Sequence, residues 1–172
     1  YSEDGGETWS EINPLYTDVG EYTVLVKVEN PNYEDREGEG TVKITPRKVT
    51  VKANSGSFTY DGTLKTVEGY EEPVGLLEGH ELSGVSAKGT GTNAGTYPVT
   101  FTGTPVIMAG GEVYVTDNYD VDLVEGTLTI TKAVGADLDI TDYEGVYDGE
   151  WHSIEIENLI VGDKPYYSKD GR

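Results

Sequence analysis

Thr92-Asn-Ala-Gly-Thr-Tyr97 and, earlier in the chain, Thr17-Asp-Val-Gly-Glu-Tyr22 are two versions of one phrase, and their recurrence decides the fold. Each opens a strand-like run and then meets an Asn-Tyr pair, Asn32-Tyr33 or Asn118-Tyr119. Nine residues after each Asn begins a closing run, Thr41-Val-Lys-Ile-Thr45 or Thr127-Leu-Thr-Ile-Thr131. A second phrase recurs as well: Tyr60-Asp61-Gly62 is matched by Tyr147-Asp148-Gly149. Self-similarity on this scale is the signature of a repeat architecture. It defines two related modules, A and B.

Module B, residues 46–133, is complete. Runs rich in Val, Thr, Ile and Tyr are predicted as strands at Lys48–Ala53, Ser57–Tyr60, Thr66–Tyr70, Leu82–Lys88, Gly95–Thr102, Val106–Met108, Val113–Val115, Tyr119–Leu123 and Gly126–Thr131. Asp61-Gly62, Glu78-Gly79, Thr92-Asn93 and Gly110-Gly111 punctuate them as turns. Relative to module A, the stretch from Gly103 to Thr116 reads as an inserted hairpin. No segment sustains a 3.6-residue period, so the expectation is an all-β protein with almost no helix, built as an elongated tandem of Ig-like β-sandwich repeats.

Module A is divided between the two ends of the chain. Residues 1–45 carry its C-terminal part and residues 134–172 the N-terminal part of the next copy, including a strand predicted over Ser153–Leu159. Tyr167-Ser-Lys-Asp-Gly171 repeats Tyr1-Ser-Glu-Asp-Gly5 at an offset of 166 residues, which marks the seam. A first residue that is Tyr rather than Met predicts a piece of a longer protein. Half a sandwich leaves an inner face and strand edges unpaired. Residues 134–172 of one unit are therefore expected to complete residues 1–45 of the next, head to tail, either along one continuous polypeptide or between separate subunits.

Ser57-Phe-Thr-Tyr-Asp-Gly62, Asn93-Ala-Gly-Thr-Tyr97, Asn118-Tyr119 and Gly126-Thr-Leu-Thr-Ile-Thr-Lys132 resemble the YDG/MBG-type repeats of bacterial surface proteins. Module A, through Tyr147-Asp-Gly-Glu-Trp-His152, Tyr1-Ser-Glu-Asp-Gly-Gly-Glu-Thr-Trp9 and Tyr16-Thr-Asp-Val-Gly-Glu-Tyr-Thr-Val24, resembles the companion repeat that alternates with them in Firmicutes. The resemblance covers nearly the whole chain. It implies an Ig-like fold and service in extracellular, cell-surface or adhesin-like proteins, and it implies no ligand.

The formal net charge of −20, from 32 acidic against 12 basic side chains, repels phosphate backbones and anionic headgroups. Nucleic acid and membrane surfaces are thus poor partners, and divalent cations are the one class such a surface welcomes. The plainer reading of the charge is the solubility of a long exposed rod. With 0 Cys there are neither disulfides nor thiolate metal sites. No apolar run approaches the roughly 18 residues of a membrane span, and no signal-peptide pattern is expected in this stretch. The compact links Thr45-Pro46-Arg47-Lys48 and Thr131-Lys132-Ala133 predict a semi-rigid rod.

The repeated glycines are expected where the chain reverses with positive φ. Gly20 with Tyr22, and Gly95 with Tyr97, read as tyrosine corners, the phenol bonding back to the backbone near a strand start. Asn32 and Asn118 are expected to turn the chain before the last strand through their side chains. Ser2, Asp4, Gly6, Thr8 and Trp9 match the Asp-box hairpin of sialidase-like propellers, but one box makes no propeller and Arg36, Arg47 and Arg172 lack the surroundings of a carboxylate-binding triad. Asp117, Asp120 and Asp122, or Asp137, Asp139 and Asp142, are candidate calcium ligands, since oxygens at alternate positions can gather in a loop; alternation along an exposed strand face is the competing reading.

His80 and His152 are the 2 histidines, and without Cys they assemble neither a zinc site nor a thiol nucleophile. No nucleophile elbow and no phosphate loop entering a helix is present, so no enzyme is expected. Trp9, Trp151 and the tyrosines suit either core packing or a sugar-stacking platform. A Lys–Asn isopeptide bond is compatible with a stalk domain, and a mass about 17 Da low would reveal it. The expectation is a structural repeat unit of a bacterial surface fibre or adhesin stalk; the alternative is a module that binds host or microbial glycans or mucin.

Overall fold

The computed structural model describes residues 1–168, so Lys169, Asp170 and Gly171 of the seam phrase, and Arg172, lie outside the described residues. Twelve strands follow in chain order: β1 (Gly20–Asn30), β2 (Tyr33–Ile44), β3 (Arg47–Lys52), β4 (Gly56–Thr59), β5 (Lys65–Glu68), β6 (His80–Gly91), β7 (Gly95–Ala109), β8 (Val113–Tyr114), β9 (Tyr119–Val124), β10 (Gly126–Thr131), β11 (Asp139–Thr141) and β12 (Glu155–Glu157). A single 3-10 turn among the described residues, Thr116–Asn118, stands between β8 and β9. The protein is all-β, and no helix among the described residues is long and apolar enough to cross a membrane.

The central sheet runs β4-β10-β7-β6-β5, with β8 added beside β7. A separate ribbon joins β3 to β9 in parallel, Val49 facing Val121 and Val51 facing Leu123. Both outer pairings are parallel and link the start of this segment to its end: β3 with β9, and β4 with β10. Alternation fills the interior. In β3, Val49 and Val51 point inward between exposed neighbours, and in β10 Leu128 and Ile130 point inward on either side of the half-buried Thr129. Ala53, Val67, Ala87, Val99, Leu128 and Ile130 form one apolar cluster. Val49, Val51, Ile107 and Tyr119 form a second, which buries the β3–β9 ribbon against β6 and β7 through Leu82 and Phe101.

Two strand predictions merge. The run expected to break into Gly95–Thr102 and Val106–Met108 is the single fifteen-residue β7, paired with β6 through one register shift between Ser83 and Val85. Two glycines explain the continuity. Gly84 (φ +77) and Gly103 (φ +92) face each other so closely that a Cβ on either would strike backbone, Thr104 O for Gly84 and Gly84 O for Gly103. Their left-handed φ values bulge the ladder instead of ending it. The strand expected over Ser153–Leu159 shortens to β12, which pairs only with β11 among the described residues.

Residues 20–44 are not arranged as residues 95–131 are. There β9 leaves the central sheet to pair with β3. Here the corresponding stretch from Tyr33 stays on β1, giving one long hairpin from Gly20↔Ile44 to Asn30↔Tyr33. Backbone groups must find partners, and β1 is the strand beside them. The consequence is exposure: Tyr119 is 8% exposed, whereas Tyr33, the tyrosine of the other Asn-Tyr pair, is 76% exposed.

Candidate functional site

Near the start of the chain, Ser2 is buried and pairs with Leu25 on the outer edge of β1. Asp4 organises the turn that follows. Its carboxylate accepts from the Thr8 hydroxyl at 2.5 Å, the Thr8 N–H at 2.9 Å and the Ser2 hydroxyl at 2.7 Å. These bonds, the Thr8 hydroxyl foremost, hold the Asp4 carboxyl well below the usual carboxylate range. Gly6 N–H donates to the Ser2 hydroxyl, and the Trp9 ring lies against Gly6. Each of these bonds braces the loop, which is a structural use of the carboxylate.

Tyr22 Oη donates to Asp18 O at 3.1 Å, and Tyr97 Oη donates to Asn93 O at 2.9 Å. The two phenols thus make the same bond to the residue four positions back. The glycines beside them need correction. Gly20 opens β1 without a left-handed φ and Gly95 is extended, so neither is a reversal point. Gly20 is required for space: a Cβ there would lie 2.7 Å from the Tyr22 ring. Tyr16 stacks on that ring, centroids 4.0 Å apart, and its hydroxyl donates to Glu3 Oε1 at 2.5 Å. That bond pushes the Tyr16 phenol up to about 12.

The Tyr-Asp-Gly phrases form matching turns. Asp61 Oδ1 accepts from Thr63 N–H and Asp148 Oδ1 from Glu150 N–H, both at 2.9 Å, with Gly62 at φ +80 and Gly149 at φ +86. Four residues beyond each Asp stands a base: Lys65 Nζ at 2.6 Å from Asp61, and His152 Nε2 at 2.8 Å from Asp148. Lys65, with the Thr63 groups, lowers the Asp61 carboxyl; the Glu150 N–H and then His152 lower that of Asp148. Tyr60 is 41% and Tyr147 95% exposed. His152 also stacks on Tyr143 at 4.1 Å.

The asparagines behave otherwise than expected. At the β1–β2 turn it is Asn30 whose side chain accepts from the Asn32 N–H. Asn118 spends its side chain across the molecule: Oδ1 accepts from Val19 N–H at 2.6 Å and Nδ2 donates to Asp18 Oδ1 at 2.8 Å. It ties the residues just before β1 to the 3-10 turn just before β9 over a separation of 100 residues, a contact no local pattern announces. Beneath it, Tyr119 Oη bonds His80 Nδ1 at 2.7 Å beside an open cleft of about 530 Å³ bordered by Asp18, Arg47 and Val115.

Neither acidic triplet assembles. Among the described residues, no group of three or more His, Cys, Asp or Glu is arranged to hold a metal. Asp120 and Asp122 flank Val121 on the extended β9, and Asp117 belongs to the preceding 3-10 turn. Extension spaces alternate side chains about 6.6 Å apart along the strand, too far for one ion without a loop to draw them in. Asp139 lies in β11, with Asp137 and Asp142 on either side of it.

The unsatisfied feature is an edge. β1 and β2 form a two-stranded sheet, and the far side of β2 carries no strand among the described residues. Val42, which faces Tyr22 across the hairpin, is 41% exposed. The segment after β10 is equally open: Val134, Val146, Tyr147, Trp151 and Val161 are almost wholly exposed. Comparison of the chain with protein-family models, with curated proteins and with solved structures finds no match.

Proposed function

We propose that the chain is a structural repeat unit of a bacterial surface fibre or adhesin stalk, a tandem of Ig-like β-sandwich modules of the YDG/MBG type. It propagates head to tail as residues 134–172 of one unit complete residues 1–45 of the next. The observation that carries this reading is a shared register. In the central sheet, β7 meets β10 as Gly95↔Ile130, Tyr97↔Leu128 and Val99↔Gly126. The hairpin repeats it as Gly20↔Ile44, Tyr22↔Val42 and Val24↔Gly40. The segment at Ser2 also bridges β1 at Leu25, on the edge that corresponds to the β6 side of β7. A one-residue slip would invert every side chain, so coincidence at all these pairs supports two copies of one design.

Concentration-dependent association in light scattering is the expected behaviour of the chain, and removal of residues 134–172 is expected to abolish it. Monomers at all concentrations would count against the reading. A second reading, glycan binding, draws on Trp151 and Tyr147, which are 100% and 95% exposed. Mucin capture lost on Trp151→Ala, with association unaltered, would favour it.

A further inference from the structure

We propose that the open edge of β2 at residues 42–45 receives residues 143–146 of a second copy as a parallel strand, with Lys43 facing Glu144. The inference rests on the head-to-tail reading and names its register. In module B the outer neighbour of β10 is β4, parallel, in the pairs Leu128↔Gly56, Thr129↔Ser57, Ile130↔Phe58 and Thr131↔Thr59. The shared register places Val42, Lys43, Ile44 and Thr45 where Leu128, Thr129, Ile130 and Thr131 stand. Counting back from the two Tyr-Asp-Gly phrases places Tyr143, Glu144, Gly145 and Val146 where Gly56, Ser57, Phe58 and Thr59 stand.

Three independent features of the side chains and backbone fit this pairing. First, the outward row across the three strands in module B is Thr96, Thr129, Ser57, all hydroxyls. The same row here is Glu21, Lys43, Glu144: Lys43 already holds Glu21 at 3.0 Å, and the incoming strand brings a second carboxylate to its open side. Opposite charges directly across strands stabilise and like charges do the reverse, so the row alternates in sign as a matched set does. Second, large and small exchange places. In module B the Phe58 ring covers Gly56, 3.4 Å from where its Cβ would be; in the donor segment the Tyr143 ring covers Gly145. Either order sets one ring over one bare backbone on the same face of the strand. Third, Tyr60 N–H donates to Thr131 O at 2.9 Å, and the proposed register brings the Tyr147 N–H to Thr45 O in the same way. Ile154, the counterpart of the buried Val67, is 42% exposed and gains a core to enter.

Because the chain contains 0 Cys, single cysteines report the register. Full-length chains bearing Lys43→Cys and Glu144→Cys, mixed and oxidised, are expected to cross-link into heterodimers. Pairing Lys43→Cys with Asp142→Cys is expected to be about tenfold slower, since two residues displace the sulfur by about 6.6 Å. Lys43→Glu is expected to weaken association, and the double variant with Glu144→Lys to restore it. Association in which the Lys43→Cys chain links instead to an Ile156→Cys chain would overturn the register while leaving head-to-tail assembly standing. A chain that stays monomeric would overturn both.

Discussion

Leu128 faces Tyr97 and Val42 faces Tyr22 in the same strand register, yet Leu128 is 0% exposed and Val42 is 41% exposed. Leu128→Ala should therefore cost about 2–5 kcal/mol in urea unfolding, the transfer and cavity cost of a sealed site. Val42→Ala in the dilute chain should cost under about 1 kcal/mol, since water already reaches it. Equal losses at the two positions would show that the hairpin edge is already covered in solution. Tyr16 offers a second test at this scale. Its phenol is raised to about 12 chiefly by donating to Glu3. A raised folded value means the bond contributes stability below the ordinary tyrosine pKa near 10 and loses it as pH climbs through the folded value. Glu3→Gln should return one tyrosine in the tyrosinate absorbance titration toward 10.0, the unperturbed value. The Tyr22 and Tyr97 bonds were readable from the repeated Gly-x-Tyr phrase because each partner lies four residues away. Stacking of Tyr16 on Tyr22 was not, because nothing in the spacing of two tyrosines says which rings meet.

At the scale of the element, period-two alternation places Val49, Val51, Leu128 and Ile130 inward without further information. What alternation cannot see is whether a glycine ends a strand or bends it. Gly103 reads as a break, and the structure makes it half of a bulge with Gly84. A Cβ at Gly103 would meet a carbonyl oxygen and adopt a φ of +92, so Gly103→Ala should cost about 1–3 kcal/mol in thermal or chemical unfolding, more than an exposed strand glycine. A neutral Gly103→Ala would mean the bulge relaxes into a flat ladder. The calcium candidates failed for a related reason: acidic residues at alternate positions read equally as a loop or a strand face, and β9 takes the strand.

Across the whole molecule, the start of the hairpin is held to the 3-10 turn before β9 by Asn118, whose carboxamide takes the Val19 N–H and gives to Asp18. Asn118→Ala should expose the Val19 amide, so that its hydrogen exchange accelerates while amides of β7 and β10 keep their protection. Uniform acceleration would place Asn118 in the fold of the sheet itself. The sequence alone determined the all-β class, the inward residues of β3 and β10 and the Asp-Gly turns, because each rests on period or on short-range hydrogen bonds. Only the tertiary structure decided that β3 pairs with β9 and β4 with β10, that Asn118 reaches Asp18, and that β2 keeps one edge open among the described residues. Those outcomes depend on which backbone groups lie adjacent after the chain has closed on itself, and a long separation in sequence carries no record of that.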